Sequence, residues 1–141
     1  MKRRVMLTVL LAFGWPVSAA DRGSNPDVSG LETSWPQLQG NPSHTGYTAD
    51  EPKPPFVVKW TRQLNQPTHT GAPPIVADGK VFVGTSWGNL LALDRNTGKT
   101  AWSYATGAPI CGTPAFADGV VYVNSMDRYC HAVDARTAKP L

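Results

Sequence analysis

The chain has 141 residues, of which 41% are hydrophobic and 16% charged, and its 13 Lys and Arg against 10 Asp and Glu give a formal net charge of +3 at pH 7. Three of the basic residues lie within the first four positions, so the rest of the chain, with 10 basic and 10 acidic residues, carries no net charge. Without a cluster of Lys and Arg the chain cannot neutralise a row of phosphates, which excludes a typical nucleic-acid-binding protein.

Residues 1–20 have the pattern of a secretory signal peptide. Lys2, Arg3 and Arg4 precede the apolar run VMLTVLLAF, and the small residues of VSAA at 17–20 offer a cleavage site. The run is about half of the roughly 18 residues that a membrane span requires. We therefore expect an exported, soluble protein, periplasmic or extracellular, with no transmembrane span after cleavage. The KRR sequence leaves the Sec and twin-arginine routes both open, and no Cys lies near the cleavage site to carry a lipid anchor.

Two irregular regions follow the predicted leader. Residues 21–34 are rich in Gly, Ser, Asn and Asp and predict a flexible lead-in. Residues 35–66 form an N-terminal segment in which Trp35 and Tyr47 are the expected anchors among turn residues. Within that segment, the sequence FVVKW at 56–60 is typical of a short buried strand, which we expect to lead into the regular part of the chain.

An internal repeat dominates the rest of the chain. At an offset of 40, residues 74–100 align with 114–140 without a gap, and 10 of the 27 pairs are identical. A fixed period of this length is typical of solenoids and propellers. No segment shows apolar spacing of three and four over three helical turns, which argues against a helical solenoid.

Each repeat predicts four short strands. In the first repeat the segments PPIVA, KVFVG, NLLAL and KTAWSY carry the β-branched, aliphatic and aromatic residues that favour strands. An Asp-Gly pair, at 78–79 and again at 118–119, lies between apolar runs and favours a tight hairpin. Four antiparallel strands of this kind make one propeller blade. We therefore expect an all-β chain with one blade at 67–106 and a second, truncated blade at 107–141, which together form an incomplete ring.

The sequence ALDRNTGKTAW at 92–102 resembles the tryptophan-docking motif AxDxxTGKxxW of propellers built from pyrroloquinoline-quinone (PQQ) type repeats. In that motif the Asp and Thr bond the turn backbone, the Gly tolerates strained φ, and the indole wedges between blades. Trp60 is the expected docking residue of the strand before the first blade. The second copy has Ala138 in place of the Gly. The motif positions present in the two copies are Ala92, Asp94, Thr97, Gly98, Lys99 and Trp102, and Ala132, Asp134 and Thr137.

The resemblance extends over residues 35–141 and identifies the chain as an N-terminal fragment of a PQQ-like, BamB-like propeller. It implies that the remaining blades belong to a longer parent chain. Two functions are open. One is an exported scaffold that binds a protein or ligand in the cell envelope and requires no cofactor. The other is the first part of a quinoprotein alcohol or sugar dehydrogenase that binds PQQ and Ca²⁺.

Two positions bear on the choice between these functions. The quinoprotein dehydrogenases have a Glu where this chain has Gly71, and a vicinal Cys pair where it has Cys111 alone. The resemblance therefore favours the scaffold, with an envelope protein as partner. The missing lipoprotein Cys is a departure from BamB itself.

The cysteines and histidines are the remaining candidate site residues. Cys111 and Cys130 fit an oxidising compartment and form a possible disulfide. About two strand spacings, near 9 Å, would separate them, whereas the Cα atoms of a disulfide lie roughly 4.4–6.8 Å apart. The three histidines, His44, His69 and His131, have no visible metal-binding partners and are expected in turns or at the surface.

The paired carboxylates Asp78 and Asp118 are explained by their Asp-Gly turns. We therefore assign no catalytic and no metal-binding residue from the sequence.

Overall fold

The computed structural model describes residues 5–9, 34–47 and 54–141, and within these ranges it contains strands and no helix. All paired strands are antiparallel, so the predicted all-β class is confirmed and a helical solenoid is excluded. In the described part of the chain no helix is long and apolar enough to cross a membrane. The strands are β1 Val5–Val9, β2 Trp60–Leu64, β3 Ile75–Ala77, β4 Lys80–Gly84, β5 Asn89–Asp94, β6 Thr100–Ala105, β7 Ala115–Ala117, β8 Val120–Asn124 and β9 Cys130–Asp134.

Strands β3 to β6 form the first blade, a four-stranded sheet in the order of the chain. The hairpin between β3 and β4 turns at Asp78 and Gly79, whose φ angles are 48° and 67°. Positive φ at both central residues gives the twist that a two-residue hairpin needs, and Asp and Gly adopt it at low cost. A bulge interrupts the pairing of β5 with β6 between Ala92 and Leu93.

Strands β7 to β9 form the second blade, a three-stranded sheet with the same order and the same Asp-Gly turn. An isolated bridge joins Val133 to Pro140, and the Leu141 amide donates to the Ala132 carbonyl at 2.9 Å. Residues 140 and 141 therefore lie beside β9, in the position that β6 occupies beside β5 in the first blade.

The region before the first blade differs from the prediction. The leading strand is β2, which begins at Trp60, whereas Phe56, Val57 and Val58 are 48%, 62% and 54% exposed and belong to no strand. The predicted buried strand at 56–60 is therefore wrong, because the sheet partners of this region begin only at Trp60. Tyr47 is 74% exposed and is not an anchor.

Strand β1 lies within the segment predicted as a leader and pairs with β2 from end to end. The rest of that segment and most of the predicted lead-in at 21–34 lie outside the described residues. Cleavage after the leader stays a prediction.

Two apolar layers hold the sheets together, one on each face of the first blade. Alternate side chains of β4 and β5 point to opposite faces, as the period of a strand dictates. One layer packs against β2, and the other packs against the second blade. Each fully buried aliphatic or aromatic side chain stabilises the fold by about 1.5–3 kcal/mol. The first layer contains Leu64, Val81, Val83, Leu91 and Leu93 with Trp60, and the second contains Ile75, Phe82, Leu90, Ala92, Ile110, Val121, Val123 and Val133 with Trp102.

The N-terminal segment forms backbone hydrogen bonds with the first strand of each blade, β3 and β7. Trp35 and Val76 exchange backbone hydrogen bonds of 2.6 and 2.9 Å, and the Pro36 carbonyl accepts from the Phe116 amide at 2.7 Å. Strands β3 and β7 are edge strands of their sheets, so these bonds satisfy backbone groups that would otherwise form open edges. Trp35 is thus placed as the anchor that the sequence suggested.

Candidate functional site: the blade junctions

The turn between β5 and β6 is built by the Asp and Thr of the predicted docking motif. One carboxylate oxygen of Asp94 accepts from the Thr97 hydroxyl and amide, both at 2.8 Å, and from the Asn96 amide at 3.0 Å. The Thr97 hydroxyl is the main cause that lowers the pKa of Asp94, while desolvation opposes it. Asp134 and Thr137 repeat this arrangement in the second blade, with distances of 2.6 to 3.1 Å and again a lowered pKa of the Asp.

Two indoles bridge neighbouring sheets at these turns. The Trp60 Nε1 of the leading strand donates to the Arg95 carbonyl at 2.8 Å, which forms the first junction. The Trp102 Nε1 of the first blade donates to the Ala135 carbonyl at 2.9 Å, which forms the second junction. Because Arg95 and Ala135 are equivalent in the repeat, the two junctions use the same acceptor position. Ala92 lies opposite Trp102 in the register of its own blade.

Gly98 makes room for the first of these indoles. Its φ is +69°, and a Cβ built on it would lie 2.6 Å from Cε3 of Trp60. The residue at the same position in the second blade, Ala138, also has a positive φ, 61°, although it carries a side chain. The two blades therefore differ in backbone strain at the turn that receives the indole.

Polar side chains form hydrogen bonds at the other end of each junction, away from the turn that accepts the indole. At the first junction the side-chain oxygen Oε1 of Gln66 accepts from the Thr85 hydroxyl at 2.8 Å and from the side-chain Nδ2 of Asn89 at 2.9 Å. At the second junction three hydrogen-bonded side chains take the place of this glutamine, and we name them the relay. The Tyr104 hydroxyl lies 3.0 Å from Nδ1 of His131, and Nε2 of His131 lies 2.9 Å from a carboxylate oxygen of Asp127.

The Asp127 carboxylate fixes the direction of one hydrogen bond in the relay. Asp127 also accepts from the Gly107 and Tyr129 amides at 2.8 and 3.0 Å. Desolvation raises the pKa of Asp127, but these hydrogen bonds together with those of His131 and Ser125 outweigh it and lower the pKa to about 2. An ionised carboxylate only accepts, so His131 donates from Nε2 to Asp127.

This relay corrects the expectation that His131 is a turn or surface histidine. His131 lies in β9 with 16% of its side chain exposed, and the relay joins the first blade to the second. A signal was present in the repeat, since His131 and Asp127 replace Leu91 and Trp87 of the first blade, four residues apart in each case. Sequence reasoning missed it because the partner, Tyr104, lies on the neighbouring blade.

The lowered pKa of Asp127 predicts a loss of stability in acid. Its stabilising contribution is fully present above the ordinary pKa of 3.8 and is lost as the pH falls towards about 2. We expect the stability difference between the wild type and Asp127→Asn to shrink between pH 4 and pH 2. Urea unfolding midpoints measured at intervals from pH 6 to pH 2 test this. Because Asp94 and Asp134 titrate in both proteins, the difference isolates Asp127, and a constant difference would contradict the prediction.

The other sequence-predicted site residues lie apart from this relay. Cys111 and Cys130 are both free thiols in the structure. Ile110 bridges to Ser125 and Asn124 pairs with Cys130, which leaves the strand β8 between the two cysteines, as expected. Their pairing in an oxidising compartment stays a prediction. Among the described residues no group of three or more His, Cys, Asp or Glu could hold a metal ion.

Comparisons with known proteins agree with this architecture. A family model described as outer membrane protein assembly factor BamB matches residues 57–141, the range that holds β2 and both blades. The solved structure of BamB from Moraxella catarrhalis superimposes with a TM-score of 0.53 and 32% identity, over 59% of this chain and 25% of that one. The described fold is therefore that of neighbouring blades of a β-propeller.

Dehydrogenases of the quinone type are similar as well. The quinohemoprotein alcohol dehydrogenase from Comamonas testosteroni superimposes with a TM-score of 0.67 and 25% identity, over 77% of this chain and 18% of that one. The dehydrogenase subunit of the alcohol dehydrogenase (quinone) from Gluconobacter oxydans is 27% identical over 89% of this chain. The chain spans only 18% of the length of that relative.

Proposed function

Because the chain belongs to the family described as outer membrane protein assembly factor BamB, we propose that it is the N-terminal part of an exported β-propeller that acts as a binding scaffold in the cell envelope. Its further blades come from a longer parent chain, and its partner is an envelope protein. Residues 1–20 direct export, and the mature protein is soluble in the periplasm or outside the cell. The segment itself requires no cofactor.

The observation that carries this proposal is that ionisable side chains of the turns and of the relay are hydrogen-bonded within the fold. Asp94 and Asp134 hold turns, and Asp127 with His131 and Tyr104 holds the second junction. Groups of these types serve as acids, bases and ligands in enzymes, but here their hydrogen bonds are directed within and between blades. The geometry supports a rigid module whose exposed loops are available for binding.

The alternative is a quinone-dependent dehydrogenase, which the similarity to the proteins of Gluconobacter oxydans and Comamonas testosteroni favours. PQQ would supply the redox chemistry, and Ca²⁺ needs oxygen ligands from the protein. Gly71 offers no carboxylate where that family has a Glu, and Cys111 has no neighbouring Cys. The residues of this chain do not fit the cofactor, so we derive no step through it.

Two experiments separate the two functions. The full-length protein is incubated with PQQ and Ca²⁺, and dye-linked oxidation is measured over a panel of primary alcohols and sugars. We expect no turnover above that of the cofactor alone, together with recovery of a partner from envelope extract by the immobilised protein. Turnover that requires both PQQ and Ca²⁺ would establish the dehydrogenase instead, and a blank recovery would count against the scaffold.

A further inference from the structure

The two ends of the blades differ in charge. The antiparallel strands place the turns at 78–79, 95–99, 118–119 and 135–139 at one end, which we name the charged end. The connections at 65–74, 85–88, 106–114 and 125–129 lie at the other end, which contains two charged residues, Asp127 and Arg128. The charged end has six in its shorter turns: Asp78, Arg95, Lys99, Asp118, Arg136 and Lys139.

Large apolar side chains project from the end with fewer charged residues. Trp87 is 65% exposed, Met126 is 66% exposed and Tyr129 is 70% exposed. Trp87 lies in the turn between β4 and β5, and the other two lie in the turn between β8 and β9. We name these three side chains, with Arg128, the apolar ledge. Trp, Tyr, Met and Arg are the residue types enriched at protein interfaces, where other charged residues are depleted.

Backbone hydrogen bonds join the connections that carry the ledge. The Gly88 carbonyl accepts from the Thr106 amide at 2.7 Å, and the Pro109 carbonyl accepts from the Met126 amide at 2.9 Å. The turn of Trp87 is therefore linked through residues 106–110 to the turn of Met126. A Cβ on Gly88 would lie 2.6 Å from the Ala108 carbonyl oxygen, so these loops are in close contact. A surface that is already ordered loses little conformational entropy when it binds.

The charge on the ledge is that of Arg128, which forms no ion pair within its own turn. Asp127 is committed to the Gly107 and Tyr129 amides and to His131. Within the described part of the chain, Arg128 takes part in no salt bridge. Arg128 has a φ of 76°, a backbone conformation that is strained for a residue with a side chain. The ledge therefore combines one guanidinium with three exposed apolar side chains.

We propose that the apolar ledge is the docking surface for a separate envelope protein, which presents an apolar segment with a carboxylate opposite Arg128. This inference rests on the proposed binding function and names its surface. A protein fits the ledge better than a lipid surface does, because stable membrane attachment takes a polybasic patch or an amphipathic helix, and the ledge has a single cation.

Site-specific photo-crosslinking in the full-length protein tests the ledge. Benzoyl-phenylalanine replaces Trp87 or Tyr129 in one pair of variants, and Lys99 or Arg136 at the charged end in a matched pair. After irradiation in the native envelope, mass spectrometry identifies the crosslinked peptide. We expect adducts from Trp87 and Tyr129 on one protein, at a peptide with apolar residues and an Asp or Glu, and none from the charged end. Met126→Ala combined with Arg128→Ala should reduce the adduct from Trp87 at least tenfold.

Each other outcome overturns the inference in a distinguishable way. Adducts from Lys99 or Arg136 alone would keep the scaffold function and reject the ledge, whereas adducts from no position would reject both. Adducts at Trp87 that survive the double substitution would show that the contact is not specific. Sedimentation of the protein with phosphatidylcholine–phosphatidylglycerol vesicles, lost in Trp87→Ala, would assign the ledge to a lipid surface.

Discussion

Replacing Trp102 by Ala in the full-length protein is expected to lower the free energy of unfolding by about 3 kcal/mol, at the lower end of the range for large-to-small changes of aromatic residues. The side chain is half-buried, donates to the Ala135 carbonyl at 2.9 Å and lies 5.7 Å from the ring of Phe82. Its loss removes apolar contact from the second junction and leaves the carbonyl without this donor. Equilibrium unfolding in urea measures the change.

Two matched variants make the Trp102 result specific. Trp87→Ala removes an indole that is 65% exposed, so the stability should change by no more than about 0.5 kcal/mol. Trp102→Phe keeps an aromatic ring but removes the donor, and should cost about 1 kcal/mol of hydrogen bonding in addition to any loss of contact. Equal effects of Trp102→Ala and Trp87→Ala would show that the indole does not hold the blades together.

Substitutions at the two indole-receiving turns should have opposite signs. In Gly98→Ala, the new Cβ meets the Trp60 ring at 2.6 Å and the backbone keeps a positive φ. We expect a loss of about 1–2 kcal/mol from the backbone alone, with a further loss from displacement of the indole. In Ala138→Gly the strain at φ 61° is released, and we expect a gain of up to about 1 kcal/mol.

Thermal or urea unfolding of both variants in the same background tests this pair. Gly79→Ala is a suitable control, since that residue has a φ of +67° and nothing within 4 Å of a built Cβ. It isolates the cost of positive φ from the cost of the clash. If Gly98→Ala and Gly79→Ala cost the same, the close approach of Trp60 to the turn contributes nothing.

The repeat made most of the fold predictable. Residues that recur at an offset of 40 are those whose structural reason is local, such as the Asp-Gly hairpins and the bonds of Asp94 to Thr97. Local reasons can be read from a short stretch of sequence, because backbone torsion and nearby hydrogen bonds decide them. The acceptors of the Trp60 and Trp102 indoles were not predicted, although they occupy equivalent positions in the repeat, one residue after Asp94 and Asp134.

The errors concern residues whose environment depends on distant parts of the chain. The apolar run at Phe56–Val58 favours a strand locally, but the pairing of β2 starts at Trp60 and leaves those side chains exposed. His131 appears isolated in the sequence because Tyr104 reaches it from the neighbouring blade. Pattern reasoning is weak here, since tertiary pairing overrides local preference.

The pairing of the N-terminal segment with β3 and β7 has a mechanical consequence. Trp35 and Pro36 are consecutive, so their Cα atoms are fixed about 3.8 Å apart, yet they bond to Val76 in one sheet and Phe116 in the next. The segment therefore links β3 to β7 at a short, fixed distance. The two sheets cannot separate at β3 and β7 without breaking these bonds. Any movement of one sheet against the other is therefore largest at the strands furthest from them, β6 and β9.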